Sequence, residues 1–281
     1  MRLTCQCSCR GLLGLKISKN DFLNEFRMAI SDRETRNFHA TAVVLRHMEY
    51  GEADRILTLF TLERGKMSAI AKGVRKLKSQ KSGHLMPFTQ VALYLAKGRN
   101  MAVVSQAQAM RTYDNVRSNL LLTAYTAYVA ELVDRFSFED SDNRPLYKLL
   151  VDTLDRLDQC TEPATTIHYF EVHFMDLLGF RPELTKCVGC GKAIQPLDQY
   201  FTAKLGGALC PNCAGKDPQA WRVSMNALKY LRFFQRSPWA KVKERVIPEV
   251  VEAEIKTLME RYLTYLLEYS LKTPPFLQAV K

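Results

Sequence analysis

Between residues 38 and 110, short runs rich in β-branched and apolar residues are separated by turn-forming residues, the pattern of strands. Residues 41–47 (TAVVLRH) form the first run, and a polar turn over 49–54 (EYGEAD) leads to 55–61 (RILTLFT). Glu63-Arg64-Gly65 then feeds a third run, 66–74. After a polar loop come 88–96 (FTQVALYLA) and 101–110 (MAVVSQAQAM), joined by Lys97-Gly98-Arg99-Asn100. Each break carries Gly, Asp or Asn, as tight turns require. Five strands with short turns suit a small closed barrel, and a five-stranded OB-fold is expected over 37–113.

Beyond Asn115 the period changes from two to between three and four. Leu121, Tyr125, Tyr128, Leu132 and Phe136 mark one helix, and Pro145 opens a second with Leu146, Leu150, Leu154 and Leu157. Thr161 can cap a third, carrying Ile167, Phe170, Phe174, Leu177 and Leu178. Gly179 stands where a left-handed cap belongs, with Pro182 after it. Ser224 can cap a helix with Leu228, Leu231 and Gln235. Pro248 precedes a longer one with Val251, Ile255, Leu258, Tyr262, Leu266 and Tyr269, which Pro274 and Pro275 end. The fold class is therefore α+β and multidomain: an extension over 1–36, the barrel over 37–113, and a helical bundle over 114–281 with a cysteine module inserted at 184–217. Residues 1–27 share no period with the rest and read as a disposable tail or a mis-called start before Met28.

Charge sharpens this picture. The chain of 281 residues carries a net +11, distributed as +3 over 1–36, +8 over 37–113, −7 over 114–180 and +7 over 181–281. A strongly basic barrel beside an acidic middle points to a polyanionic partner. No apolar run is long enough to span a bilayer, and no strongly basic amphipathic helix suggests a membrane surface. The cations gather after the third strand, where Lys72, Arg75, Lys76, Lys78 and Lys81 follow one another without an intervening acid. Arg55, Lys97 and Arg99 would lie on the barrel face or its neighbouring loops. These eight residues are the candidate nucleic-acid contacts. Phe60 and Tyr94 could stack on bases but better suit the barrel core.

Eight cysteines are present. Cys5, Cys7 and Cys9 sit near the start, Cys160 stands alone, and Cys187-Val-Gly-Cys190 and Cys210-Pro-Asn-Cys213 form two C-x2-C pairs nineteen residues apart. Without a secretory signal, a reducing cytoplasm is expected, where such pairs bind metal more often than they form disulfides. Four thiolates fill a tetrahedral zinc shell and leave no open position, so one structural zinc ion is expected. Gly189, Gly191 and Gly215 can supply the turns that aim backbone N–H groups at sulfur. The phosphate-loop, H-E-x-x-H and G-x-S-x-G patterns are absent. His47-Met48-Glu49 matches half of a zinc deaminase signature, but Leu209 precedes Cys210 where that signature needs Pro. The residues offer no catalytic centre.

One family resemblance spans residues 38 to about 270. Tyr50-Gly51-Glu52-x-Asp54, Ile56-x-Thr58-Leu59-Phe60-Thr61, Gly65-Lys66, Lys72-Gly73-x-Arg75, Ser79 and Pro87-Phe88 resemble the bacterial recombination mediator family RecO. Leu178-Gly179-Phe180-x-Pro182-x-Leu184, running into the paired cysteines, is similar to the same family. The resemblance implies a DNA-binding protein without turnover, built from an OB-fold, a helical domain and a zinc module that some members lack. It implies binding of single- and double-stranded DNA, annealing of complementary strands, and recombinase loading on gapped DNA. The implied partners are RecR and single-stranded-DNA-binding protein, whose acidic tail the helical domain would receive. Because residues 114–180 are net −7, such a tail needs a local basic, apolar pocket, for which Arg117, Arg135 or the C-terminal helices are the candidates. The residues themselves reach only a zinc-stabilised nucleic-acid-binding protein, so an RNA- or ribosome-associated assembly factor is the alternative reading.

Overall fold

The computed structural model describes residues 37–139, 143–160, 162–267 and 271–280. The extension expected over 1–36, the cap expected at Thr161 and the helical position of Tyr269 lie outside the described residues.

Five strands form the N-terminal half: β1 (Asn37–Tyr50), β2 (Asp54–Thr61), β3 (Gly65–Ala71), β4 (Gln90–Ala96) and β5 (Ala102–Arg111). They close into a barrel in the order β1-β2-β3-β5-β4, the five-stranded barrel expected. Neighbours are antiparallel except β3 and β5, which run parallel through Ala69–Ala102 and Ile70–Val103. The β4 end returns to β1 where Val44 N–H donates to Thr89 O (3.0 Å) and Phe88 N–H to Val44 O (2.7 Å). Leu57 and Leu59 alternate inward on β2, facing Ala69 and Met67 across the ladder. Phe60 points the other way and is also fully buried.

Three boundaries differ from expectation for local reasons. β1 continues through its polar end to Tyr50, so the first turn is only 51–53, with Gly51 at φ +56°. β3 stops at Ala71 because Gly73 (φ +64°) turns the chain. Phe88 adopts φ 64°, which an extended strand excludes, so β4 begins at Gln90.

The C-terminal half is helical: α1 (Asp114–Ser118), α2 (Leu120–Phe136), α3 (Arg144–Gln159), α4 (Pro163–Leu177), α5 (Met225–Arg236), α6 (Trp239–Val242), α7 (Glu249–Leu267) and α8 (Thr273–Val280). Ser224 Oγ accepts from Ala227 N–H at 3.1 Å, the cap expected of it. Gly179 (φ +81°) closes α4: its N–H donates to Asp176 O and that of Phe180 to Met175 O, the paired bonds of a Schellman end. Pro274 and Pro275 differ from expectation. They stand in the first turn of α8, where a missing N–H costs nothing, and so open a helix as well as following one.

Barrel and bundle share one core. Val43, Leu45 and Phe60 join the cluster built by Tyr125, Leu132, Tyr147, Phe170 and Phe174, and the Phe60 ring stacks on Tyr147 at 6.3 Å. Around this apolar seam the acidic middle meets the basic barrel. Asp134 takes Arg46 (2.9 Å) and Lys66 (2.8 Å), Arg111 pairs with Asp155, and Ser68 Oγ donates to Glu139 (3.2 Å). Part of the charge asymmetry is therefore consumed internally.

The inserted module leaves after α4 and returns before α5. It holds a three-stranded sheet, order β7-β6-β8, from β6 (Gln199–Thr202), β7 (Gly207–Leu209) and β8 (Trp221–Val223). Phe201 fixes the module to the bundle. It is fully buried and packs edge-on against Tyr262 of α7 at 5.3 Å.

Candidate metal centre and nucleic-acid interface

Cys187, Cys190, Cys210 and Cys213 come together with all four sulfurs within 4.8 Å of one another. Tetrahedral thiolates at about 2.3 Å from zinc stand about 3.8 Å apart, and the Cys190 and Cys210 sulfurs are 3.9 Å apart. No disulfide joins any of the four. Two backbone devices bring the knuckles together. Val188 N–H donates to Ala208 O (2.9 Å), placing the first knuckle beside β7, and Cys213 N–H donates to Cys210 O (2.8 Å) in the 3-10 turn Pro211–Lys216.

The local electrostatics explain why these sulfurs suit a cation. Burial would raise the Cys187 thiol, but N–H groups of Cys210, Gly189 and Cys190 aim at its sulfur and bring it down to about 6. Cys213 is pushed up to about 12, first by burial and then by its three sulfur neighbours. Four adjacent thiolates repel one another, and a divalent ion removes that repulsion. The cluster can hold a metal ion.

The three glycines differ in what they do. Gly191 takes φ +74°, and a Cβ at Gly189 would lie 2.9 Å from Leu209 Cδ2 and 3.1 Å from Cys213 Cβ. The backbone at Gly191 favours glycine, whereas a Cβ at Gly189 would have to displace the Leu209 side chain and crowd Cys213. Gly215 has open space and an unremarkable φ, so nothing about the turn demands it.

On the barrel, Lys72, Arg75, Lys76, Lys78, Lys97 and Arg99 are exposed, while Arg55 and Lys81 are half-buried. The basic loop is anchored to the first turn: Gly73 N–H donates to Asp54 Oδ1 (2.7 Å) and Arg75 N–H to Ala53 O (2.9 Å). Two of its cations already have partners. Arg75 pairs with Glu49 at 3.2 Å, and Lys81 Nζ donates to Val104 O at 2.9 Å. Lys72, Lys76 and Lys78 make no ion pair with the described residues, and Leu77 at the loop tip is fully exposed. Lys97 and Arg99 lie on the loop entering Ala102, which pairs with Ala69 of β3. Arg55 faces Glu49 across the ladder. Burial, then the Arg55 charge, lowers the pKa of neighbouring His47 despite the opposing pull of Glu49.

Between these two loops runs a feature that local sequence patterns did not single out. Met48, Ile56, Ile70 and Val103 are direct cross-strand partners on β1, β2, β3 and β5, so they form one row. Tyr50 stands beside its end, and both Met48 and Tyr50 are 54% exposed. Alternation along each strand shows these residues, but only the register reveals the row. Of the two rings expected in the barrel core, Phe60 is buried there, whereas Tyr94 on β4 is half-exposed.

Comparison with known proteins identifies the chain's relatives. The family profile "Recombination protein O N terminal" matches residues 36–113, and "Recombination protein O C terminal" matches 117–275. The protein named DNA repair protein RecO from Roseiflexus sp. is 35% identical over 246 residues, 88% of this chain and 87% of that one. The protein of that name from Dehalococcoides mccartyi is 34% identical over 232 residues, 83% of this chain and 91% of that one. A third, from Pelotomaculum thermopropionicum, is 35% identical over 241 residues, 85% and 93% of the two chains. The chain belongs to the RecO family.

Membership places it among DNA repair and recombination proteins. The structure also explains what the RecO-like motif residues do. Gly51 and Asp54 shape the first turn and its tie to Gly73. Thr61 Oγ1 donates to Gly65 O (2.9 Å) and accepts from Arg64 N–H (3.1 Å). Leu178-Gly179-Phe180 ends α4. Gly51, Asp54, Thr61 and Gly179 thus specify turns. Among the described residues, no helix is long and apolar enough to cross a membrane.

Proposed function

We propose that this RecO-family chain is a non-catalytic DNA-binding protein of recombinational repair, acting in the bacterial cytoplasm beside the nucleoid. It binds single- and double-stranded DNA, anneals complementary strands, and helps load recombinase on gapped DNA together with RecR and single-stranded-DNA-binding protein. The barrel over 37–113 receives DNA, and the helical part over 114–281, with the module at 184–217, supports it. One observation carries the reading: an apolar row, Met48-Ile56-Ile70-Val103, lies on the strand face that OB-folds use for oligonucleotides, with exposed cations on both adjoining loops. Lys72, Lys76, Lys78, Lys97 and Arg99 contact phosphates, Arg75 and Lys81 contribute from their tethered positions, and Arg55 backs the rim.

Annealing on such a surface needs no active site. Cations that screen two backbones lower strand repulsion while bases remain free to pair. The cysteine cluster holds one zinc ion as a clip for the module, supported by its sulfur spacing and closed donor set. We place the acidic tail of single-stranded-DNA-binding protein at a groove of about 790 Å³ beside Leu45 and Phe88, where Arg46, Lys66, Arg135 and Lys272 outnumber the carboxylates of Glu131 and Asp134. Arg117 is less suited, because its guanidinium donates to Thr89 Oγ1.

The test is binding to single-stranded DNA, duplex DNA and RNA across a salt series. The reading expects both DNA forms to bind with a log–log slope of several units. Preference for RNA or ribosomes over gapped DNA in competition would replace it with the assembly-factor alternative.

A further inference from the structure

A second concave surface lies on the β4–β5 side of the barrel. It is a cleft of about 450 Å³ whose floor comes from residues paired across the ladder, Tyr94 with Gln106 and Ala92 with Gln108. His39 packs its ring against Tyr94 at 4.7 Å. The far part of the basic loop overhangs the cleft with Gln80, Lys81 and His84.

Its composition contrasts with the phosphate-facing rim. Gln80, Gln106 and Gln108 are exposed, and none of their amides makes a hydrogen bond with the described residues. Lys81 is the one lysine or arginine lining the cleft, and no carboxylate lines it. Two tethers fix the overhang: Lys81 Nζ on Val104 O, and His84 Nδ1 accepting from Ala109 N–H at 3.2 Å. Because that ring nitrogen accepts, the His84 proton resides on Nε2. Leu93 is buried beneath the floor, so the cleft presents no large apolar patch for a protein helix.

An aromatic surface beside amides that both donate and accept is the chemistry that reads unpaired bases. Rings stack on base faces, and Gln pairs with base edges. Small Ala92, cross-strand from Gln108, leaves room beside the amides. We propose that this cleft is a base-reading subsite for single-stranded nucleic acid, separate from the Met48-Ile56-Ile70-Val103 row. The inference rests on the nucleic-acid reading above and adds a site with its own selectivity. A duplex buries its Watson–Crick edges and stacking faces, so this subsite favours single strands.

The test compares an oligo(dA) strand with an abasic strand of equal length, using the full chain and the variant Gln106→Ala/Gln108→Ala, with Tyr94→Ala as a second variant. Both glutamines are exposed, so circular dichroism and melting temperature should be unchanged in the double variant. Loss of base contacts should lower the preference for the base-bearing strand by roughly tenfold, while the salt slope stays at the parental value. A preference unchanged in both variants would overturn the subsite yet leave DNA binding by the rim intact. Failure of the unaltered protein to bind either strand would remove the nucleic-acid reading itself, and this proposal with it.

Discussion

The basic loop after β3 and the cysteine module both carry glycines, tight turns and lysines, yet they treat their polar atoms in opposite ways. In the module, backbone N–H groups and sulfurs turn inward on one another: Cys210 N–H meets the Cys187 sulfur at 3.3 Å, and Lys216 Nζ donates to Gly189 O. In the loop, the backbone is tied at Gly73 and Arg75 while Lys76, Leu77 and Lys78 reach into solvent. One region satisfies its own chemistry and the other leaves it exposed to solvent. Charge count alone does not separate them.

The largest expected effect tests the inward-facing region. Cys190→Ser should release the metal and lower stability by several kcal/mol, with single-strand binding by the barrel retained. A variant that keeps bound metal and parental stability would show that the sulfurs are not a clip. An intermediate effect concerns the seam between the basic barrel and the acidic helices. Burial would raise the Asp134 carboxyl, but hydrogen bonds from Lys66 and Arg46 outweigh it and hold it below its ordinary value. A depressed carboxylate stabilises the fold above its unfolded pKa and loses that contribution as pH falls through its folded value, here below about pH 4. Asp134→Asn should therefore cost about 2 kcal/mol at neutral pH and flatten the acid limb of the stability curve. A parental acid limb in the variant would remove Asp134 from the seam.

The outward-facing region should respond in ligand affinity and not in stability. Lys72→Ala/Lys76→Ala/Lys78→Ala should reduce the single-strand salt slope by about 2 units, with an unchanged melting temperature. Adding Arg75→Ala and Lys81→Ala should change the slope less per residue, since Glu49 and Val104 already engage them. An equal fall per residue would mean that DNA displaces those partners. The smallest contrast is between glycines. Gly191→Ala in the module should cost about 1 kcal/mol, because φ +74° crowds any Cβ. Gly83→Ala, with open space and no positive φ, should stay within about 0.5 kcal/mol.

Much of this arrangement was legible in local patterns. The strand runs, the helix faces of α2 to α4, the Ser224 cap and the Gly179 stop all depend on interactions within a few residues. The cysteine spacing was equally readable, because a tetrahedral donor set imposes it. Features that depend on distant partners were not. Glu49 and Arg75 are far apart in sequence, as are Asp134 and Lys66, so the neutralised share of the charge could not be counted beforehand. The exterior row and the amide cleft emerge only once strand register is known. Short α6 lacks the length for a period, and the two prolines hid α8.

Val43, Leu45 and Phe60 are barrel residues that belong to the helical core, and this sets a timetable for the nascent chain. All five strands are synthesised before α2, α3 and α4, so the barrel can emerge while its bundle-facing side still lacks most of its helical cover. At roughly 5–20 residues per second, that greasy side waits several seconds for α2 through α4. Slow codons placed after the barrel would lengthen the wait and should lower the yield of native protein.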